Sequence, residues 1–367
     1  MKRFWTLALL LVLLAVGARG EGWVVDDSIE DDFGEIDLTK MLDLSFVGDC
    51  SIGGLPSAKG REGTYTRVVD EKGFDWPFSL VRSFLEKDDL TFANNEVAFT
   101  DSTRYQDKRT VLGAPPAYAK VYLHSGIDIL NTANNHCMDY FSKGYEDTVK
   151  TLDDLDIPSF GTLYPGAKNE RNRLDVREVK GVKIGSVGFS YPQESDIPLL
   201  VSRIEKLKKS GCDLVIVSLH WGRELTDTPR SWQFAMARQI IDAGADVIWG
   251  HHPHILQQVM LYKGKPIFFS TGNFTFGAMM SNVDPDTGIF QLRYEIKADG
   301  PHLSRLAVIP CRTQGRGDFR PYPLTDPQEK QTMLKKLIYP HDVEGMQRLP
   351  ASFVEMGVVS LRDGYVP

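Results

Sequence analysis

Cysteine is scarce here: Cys50, Cys137, Cys212 and Cys311 are the four in 367 residues, far apart and without a C-x-x-C pair. That spacing excludes a zinc knuckle or a dithiol redox motif. One structural disulfide or buried free thiols remain as alternatives. A basic excess is missing as well. The formal net charge is −7, and an acidic chain is a poor electrostatic partner for nucleic acid or anionic lipid. Internal repeats and low-complexity tracts are absent. No apolar run reaches the ~20 residues that a membrane-spanning helix needs. The longest stretch, Phe4 to Val16, instead follows Lys2 and Arg3 and precedes the small residues of "GARG". This is the form of an export signal cut near Gly20. Residues 1–20 are therefore expected to be a signal peptide, with an uncleaved membrane anchor as the alternative. Its removal takes Lys2, Arg3 and Arg19 and no acid, so the charge goes from −7 to −10. An exported protein, periplasmic, extracellular or at the cell surface, is the expectation.

What the chain does have is a recurring unit. Apolar runs of strand length end in small or polar residues at "LDLSFVGD", "DLTFANNE", "IDILNTANNH", "VKIGSVGFS", "CDLVIVSLHWG", "ADVIWGHHPH" and "KPIFFSTGNF". Runs this uniformly apolar suit strands buried on both faces. Helical spacing is predicted between them for "PFSLVRSFLEKD", "SKGYEDTVKTLDDLD", "IPLLVSRIEKLKKSG" and "PRSWQFAMARQIIDAGA". Alternating strands and helices indicate an α/β sandwich with one dominant core. An acidic linker is expected over 21–40 and the main domain over 41–325. Within it, "TGIFQLRYEIKADGPHLSRLAVIPCR" reads as two strands with a turn at Asp299–Gly300. A C-terminal helix and tail follow over 326–367, the helix capped by Asp326 with Pro327 first.

Polar residues collect where the apolar runs stop. Asp49 ends the first and Glu96 the second; Asn134, Asn135 and His136 end the third. His220 ends another, and His251, His252 and His254 end "ADVIW". In open α/β sheets, ligands bind at the carboxyl ends of strands. Each element alone has a bland reading, as a cap, a turn or a core histidine. Together, carboxylate, amide and imidazole donors suit Zn²⁺, Mn²⁺ or Fe²⁺ rather than an all-oxygen calcium site. Two such ions about 3.5–4 Å apart would clamp a phosphoryl group.

That order of residues resembles the calcineurin-like metallophosphoesterase superfamily, whose blocks run D-x-H, G-D, G-N-H, H and G-H-x-H. More closely, the chain is similar to bacterial capsule synthesis proteins of the CapA/PgsA type, linked to poly-γ-glutamate capsules. The stretches that carry the resemblance are "FVGDCSIG", "DLTFANNEVAFT", "APPAYAKVYLHSGIDILNTANNHCMDY", "SLHWGRELTDTP", "IDAGADVIWGHHPHILQ" and "GKPIFFSTGNFTF", over roughly residues 42–277. It implies a layered α/β/β/α sandwich and one or two divalent transition metal ions (Mn, Fe or Zn). It implies Asp49, Glu96, Asn135, His220, His252 and His254 as ligands and His136 as the catalytic imidazole that protonates a leaving oxygen. Ser51 stands where the superfamily has the histidine of D-x-H, which removes one donor. His251 is then surplus, a supporting residue or an alternative ligand.

Further candidates surround these. Asn94 and Asn134 lie beside proposed ligands, and Asp139 could orient His136 or begin the next helix. Arg223 and Glu224, after His220, could meet substrate or form a surface pair, and Trp221 could line a cleft or pack. Asn273, in the turn "TGNF", could hydrogen-bond the metal shell. The function implied is an exported metal-dependent phosphoesterase-like hydrolase acting on an anionic cell-surface polymer or small-molecule substrate. Membrane-bound capsule synthase subunits are the implied partners, and nucleic acid is not. The alternative is a non-catalytic scaffold or binding subunit of a capsule polymer synthase that keeps the fold.

Overall fold

The structure, a computed structural model, describes residues 40–161, 173–278, 283–315 and 317–361. The expected signal peptide and all but the last residue of the expected linker lie outside the described residues. In chain order the strands begin with β1 (Met41–Ser51), β2 (Leu90–Asn95), β3 (Ala98–Phe99), β4 (Gly113–Ala114), β5 (Ile129–Asn131) and β6 (Ser159–Phe160). There follow β7 (Asp175–Val179), β8 (Val182–Ser190), β9 (Leu214–His220), β10 (Val247–His251), β11 (Val259–Tyr262) and β12 (Lys265–Phe268). Last come β13 (Asn273–Phe276), β14 (Asp286–Lys297), β15 (Gly300–Thr313), β16 (Pro321–Pro323), β17 (Met346–Arg348) and β18 (Val358–Ser360). The helices are α1 (Tyr65–Lys72), α2 (Arg82–Leu85), α3 (Phe141–Asp154), α4 (Ile197–Lys209), α5 (Ser231–Asp242), α6 (Pro327–Lys335) and α7 (Phe353–Met356).

Two large mixed sheets carry the molecule. One runs β16-β15-β14-β1-β2-β5-β6, with β13 added beside β1 and β18 beside β15; the other runs β17-β11-β12-β10-β9-β8-β7. Strands β1, β2, β5 and β6 are parallel, as are β8, β9, β10 and β12. Both sets are buried along most of their length, which is why they read as near-continuous apolar runs.

The expected single core is divided into three apolar layers. Between the sheets, Leu44, Phe46 and Phe92 of the first meet Ile216, Trp249 and Phe268 of the second. Phe46 stacks on Phe92 at 4.9 Å, and the Trp249 ring lies 5.7 Å from Phe46. Trp249 Nε1 also donates to Val47 O at 3.1 Å, tying the sheets together. The outer face of the first sheet packs on Tyr65 and Val69 of α1, Leu85 of α2 and Leu152 of α3. The outer face of the second packs on Leu200, Ile204 and Leu207 of α4 and Phe234, Ala237 and Ile240 of α5. The α4 residues recur every three or four positions, so one helical stripe meets the sheet. The result is the α/β/β/α layering that the resemblance implies.

Trp249→Ala should cost roughly 3–5 kcal/mol, because it leaves both a cavity and an unpaired Val47 carbonyl. Chemical denaturation should show a lower midpoint at similar slope. A loss under about 1 kcal/mol would show that the inter-sheet layer is not the principal core.

Local readings fared differently. "PFSLVRSFLEKD" is a 3₁₀ turn (Trp76–Phe78) and the four residues of α2, not one helix. Its apolar spacing is kept, since Phe78, Val81 and Leu85 are buried, but Val81 N bonds Phe78 O and Phe84 N bonds Val81 O, three residues back. The β14–β15 hairpin is present, but its two-residue turn is Ala298–Asp299, one residue earlier than the sequence suggests, because Gly300 already pairs with Lys297 at the start of β15. Helix α6 starts at Pro327, and Asp326 accepts hydrogen bonds from Gln328 N and Glu329 N at 2.9 Å. After it, Leu337, Leu349, Phe353 and Val359 enter the inter-sheet layer, while β17 and β18 extend the two sheets. All four cysteines are free and buried; the disulfide alternative is not formed.

Candidate metal centre

The parallel strands of both sheets end on one edge of the sandwich, and their polar residues form two facing rows. Across the first sheet the register places Asn273 beside Asp49, Asp49 beside Asn94, and Asn94 beside Asn131. Across the second it places Ser190 beside His220 and His220 beside His251. Glycine precedes the donors in both rows because neighbouring backbone passes too close for a side chain. A Cβ on Gly48 would lie 2.0 Å from Gly272 O, and one on Gly250 would lie 2.2 Å from Phe269 O.

Asp49 is fully buried, and a relay of amides fixes it. Asn94 Nδ2 donates to Asp49 Oδ1 at 2.8 Å, and Asn131 Nδ2 donates to Asn94 Oδ1 at 2.8 Å. Asn134 Nδ2 reaches Asn95 O at 2.8 Å and Asn94 Oδ1 at 3.3 Å, so the loop after β5 is locked to β2. His251 Nδ1 lies 3.0 Å from Asp49 Oδ1 without the alignment of a hydrogen bond. Both its ring nitrogens are buried without a hydrogen-bond partner, as those of His220 are, so the supporting and ligand readings of His251 both fit its position. His254 approaches the other oxygen, with Nδ1 3.4 Å from Asp49 Oδ2 and 2.9 Å from Asn273 Oδ1.

Glu96 sits at the centre. Its Oε1 lies 3.7 Å from His136 Nε2, 3.7 Å from His220 Nε2 and 3.9 Å from His254 Nε2. The other nitrogen of His136, Nδ1, is 2.7 Å from Asp139 Oδ2. That oxygen also accepts from Leu112 N at 2.6 Å, and Lys108 Nζ pairs with Asp139 Oδ1. A carboxylate so placed is an acceptor, which makes His136 Nδ1 the donor and leaves Nε2 facing the site. Helix α3 starts at Phe141, so Asp139 is the orienting group rather than a helix start.

The histidine segment leaves β10 through strained backbone. His252 has φ 97° and His254 φ 59°, in a region that non-glycine residues seldom adopt. Such strain costs about 1–3 kcal/mol per residue and gathers at functional sites. Asn273 holds His254, and Tyr191 OH lies 2.6 Å from His252 Nε2. Trp221 is packed: it stacks on Phe269 at 5.7 Å and donates Nε1 to Phe269 O at 3.0 Å. Arg223 is exposed and makes no ion pair or hydrogen bond among the described residues of the site. Glu224 is exposed too, yet its carboxylate falls in with the histidines.

The donors fit a metal by a test internal to the structure. Both oxygens of Glu96, Oδ1 of Asn135 and both nitrogens of His220 are buried with no hydrogen-bond partner, as is Ser51 Oγ. A buried polar atom left unpaired costs about 1–3 kcal/mol, and several on strand ends of one edge, with His220 Nε2 3.7 Å from Glu96 Oε1, call for a ligand. Two groups of ligand atoms each lie within 4.8 Å of one another: Asp49, Glu96 and His254, and Glu224, His252 and His254.

Burial and the nearby Asp49 carboxylate push Glu96 well above the usual carboxylate range. Burial also opposes the charged form of Asp49, but the imidazoles of His251 and His254 outweigh it and hold Asp49 well below that range. Burial, then the neighbouring His252, lowers His220, and burial with His254 brings His252 down to about 3. Burial lowers His136, partly offset by Asp139. His254 goes the other way, up to about 10, because Glu96 and Asp49 outweigh its burial. In the metal-free protein at neutral pH, His254 therefore carries a proton that an ion must displace. Apparent metal affinity should rise between pH 6 and pH 9, with proton release on binding. Calorimetry in buffers of different ionisation enthalpy measures both; flat affinity without proton release contradicts this.

Some residues of the site escaped the sequence reading. Tyr191 follows the run "VKIGSVGFS" and is one more strand end, so a signal existed. Lys108 comes from the loop "QDKRT", and Phe276, 5.1 Å from the His254 ring, comes from an apolar strand. Neither carries a local pattern that marks it.

The family model described as Bacterial capsule synthesis protein PGA_cap matches residues 43–278. The Bacillus anthracis "Capsule biosynthesis protein CapA" is 32% identical over 319 residues, covering 81% of this chain and 72% of that protein. The Bacillus subtilis "PGA biosynthesis protein CapA" is 30% identical over 316 residues, covering 81% and 78%. Among solved structures, the Haemophilus influenzae NAD nucleotidase is similar at 15% identity and TM-score 0.44, over 83% of this chain and 65% of that one. With one family model spanning most of the chain and relatives matched over most of both lengths, the chain belongs to the bacterial capsule synthesis family PGA_cap.

Proposed function

We propose that this chain is an exported, metal-dependent phosphoesterase-like hydrolase acting in the synthesis or processing of an anionic capsule polymer of the poly-γ-glutamate type. The observation that carries it is the gathering of Asp49, Glu96 and His254, with His252 beside them, around buried atoms of Glu96, Asn135 and His220 that have no hydrogen-bond partner. Those six would hold one or two divalent ions of manganese, iron or zinc. When bound, such ions supply Lewis-acid polarisation of an oxygen on the scissile group. His136 supplies the proton. Asp139 holds its Nδ1–H and stabilises the imidazolium, so Nε2, on the Glu96 side, is the atom that in the protonated ring would give its proton to a leaving oxygen, leaving neutral imidazole. Asn94, Asn131 and Asn134 keep Asp49 and the His136 loop in register.

Export rests on the composition of residues 1–20. Among the described residues, no helix is long and apolar enough to cross a membrane. A polymer synthase at the membrane is the partner this reading calls for. Elemental analysis of the purified full chain should find one or two transition metal ions per chain. None, with His252 and His254 intact, overturns the reading.

Ser51 favours a second reading. Its hydroxyl is buried and unpaired where the family resemblance implies an imidazole, and serine is a poor transition-metal donor. On that reading the chain is a non-catalytic binding subunit of the synthase, with a metal kept for structure.

A further inference from the structure

We infer that Glu224 is itself a metal ligand, a carboxylate that returns the donor this chain lacks at Ser51. The inference rests on the metal centre proposed above and adds a residue to it.

Three observations place it there. First, a Glu224 oxygen and ring nitrogens of His252 and His254 all lie within 4.8 Å of one another. An ion with bonds of about 2.0–2.2 Å would hold such atoms no more than about 4.4 Å apart, so a small side-chain adjustment brings the three onto one ion. Second, the loop bearing Glu224 is fastened to the histidine segment on both sides. Trp221 N bonds His251 O at 3.0 Å, and Leu225 N bonds Pro253 O, between the two histidines, at 2.9 Å. Beyond it, Gln257 Nε2 donates to Thr226 O at 2.6 Å and Gln258 Nε2 to Asp227 O at 2.9 Å. Leu225 holds φ 53°, facing His252 and His254, which are also at positive φ. Strain on both sides of one contact is the mark of an imposed geometry. Third, the Glu224 carboxylate has no ion pair or hydrogen bond among the described residues, although Arg223 is its neighbour in sequence.

Exchanging an imidazole for a carboxylate hardens the donor set. Carboxylate-rich sites suit manganese, whereas imidazole suits zinc. Manganese(II) is therefore the ion this centre prefers over zinc, relative to a centre with histidine at position 51.

The test uses the full chain, titrated with manganese(II) while free ion is followed by electron paramagnetic resonance, then with zinc(II) in competition. Glu224→Ala should lose one manganese per chain or bind it at least tenfold more weakly, since removing even a partner outside the ligand set costs 10–100-fold. Glu224→Gln, which keeps size and loop contacts, should weaken binding in the same direction with an unchanged circular dichroism spectrum; it decides the matter if the alanine variant does not fold. Adding Ser51→His to Glu224→Ala should restore the ion count and shift preference toward zinc. Wild-type manganese binding in both Glu224 variants overturns this assignment alone. Absence of any ion in the wild-type chain overturns it together with the function proposed above.

Discussion

His136→Ala should lower hydrolysis by about 10²–10⁴-fold, the usual contribution of a positioned general acid, while leaving metal content and fold unchanged. The expectation follows from geometry. His136 Nε2 faces Glu96 at 3.7 Å, and its other nitrogen is tied to Asp139 at 2.7 Å. The side chain can be removed without stranding its partner, because Asp139 keeps Leu112 N and Lys108. Chromogenic phosphate mono- and diesters serve as probes for the purified chain, with elemental analysis on the same samples. Polymer yield in producing cells is the second readout. If yield is indifferent to this substitution while metal is retained, the binding-subunit reading stands and the hydrolase reading falls.

Removing two ligands at once should empty the centre. In the His252→Ala, His254→Ala double variant, metal content should drop to background and polymer production should stop. Stability should fall for two separable reasons. The loss of bound metal costs about 2.7 kcal/mol where free ion stands at 100 times Kd. The loss of His254 also leaves the buried Asp49 carboxylate without one of the imidazoles that hold it charged. Thermal denaturation with and without chelator separates them: the wild type should shift on chelation and the double variant should not. Retained ions in the variant, or a wild type indifferent to chelator, would contradict the assignment of this segment as a metal clip.

Much of this was legible in the amino-acid order. Strands buried on both faces admit few polar atoms along their length, so a carboxylate or imidazole stands out where the strand leaves the layer. Asp49, Glu96, His220 and the histidines after "ADVIW" were visible for that reason. The β14–β15 hairpin, read within one residue of its turn at Ala298–Asp299, and the Asp326 cap are local devices, set by residues a few positions apart.

Pairing was decided elsewhere. Which of His251, His252 and His254 faces which carboxylate does not follow from strand alternation, because the chain leaves the strand at φ 97° and 59°. The amide relay from Asn131 through Asn94 to Asp49 joins three strands that the sequence separates by 37 and 45 residues. Lys108 reaches Asp139 from a loop without periodicity, and Glu224 reaches the histidines only because Leu225 bonds Pro253. The sequence by itself determined which residue types stand at the strand ends. Only the tertiary structure decided which of them meet, because register between strands and the path of the loops are fixed by long-range packing rather than by neighbours along the chain.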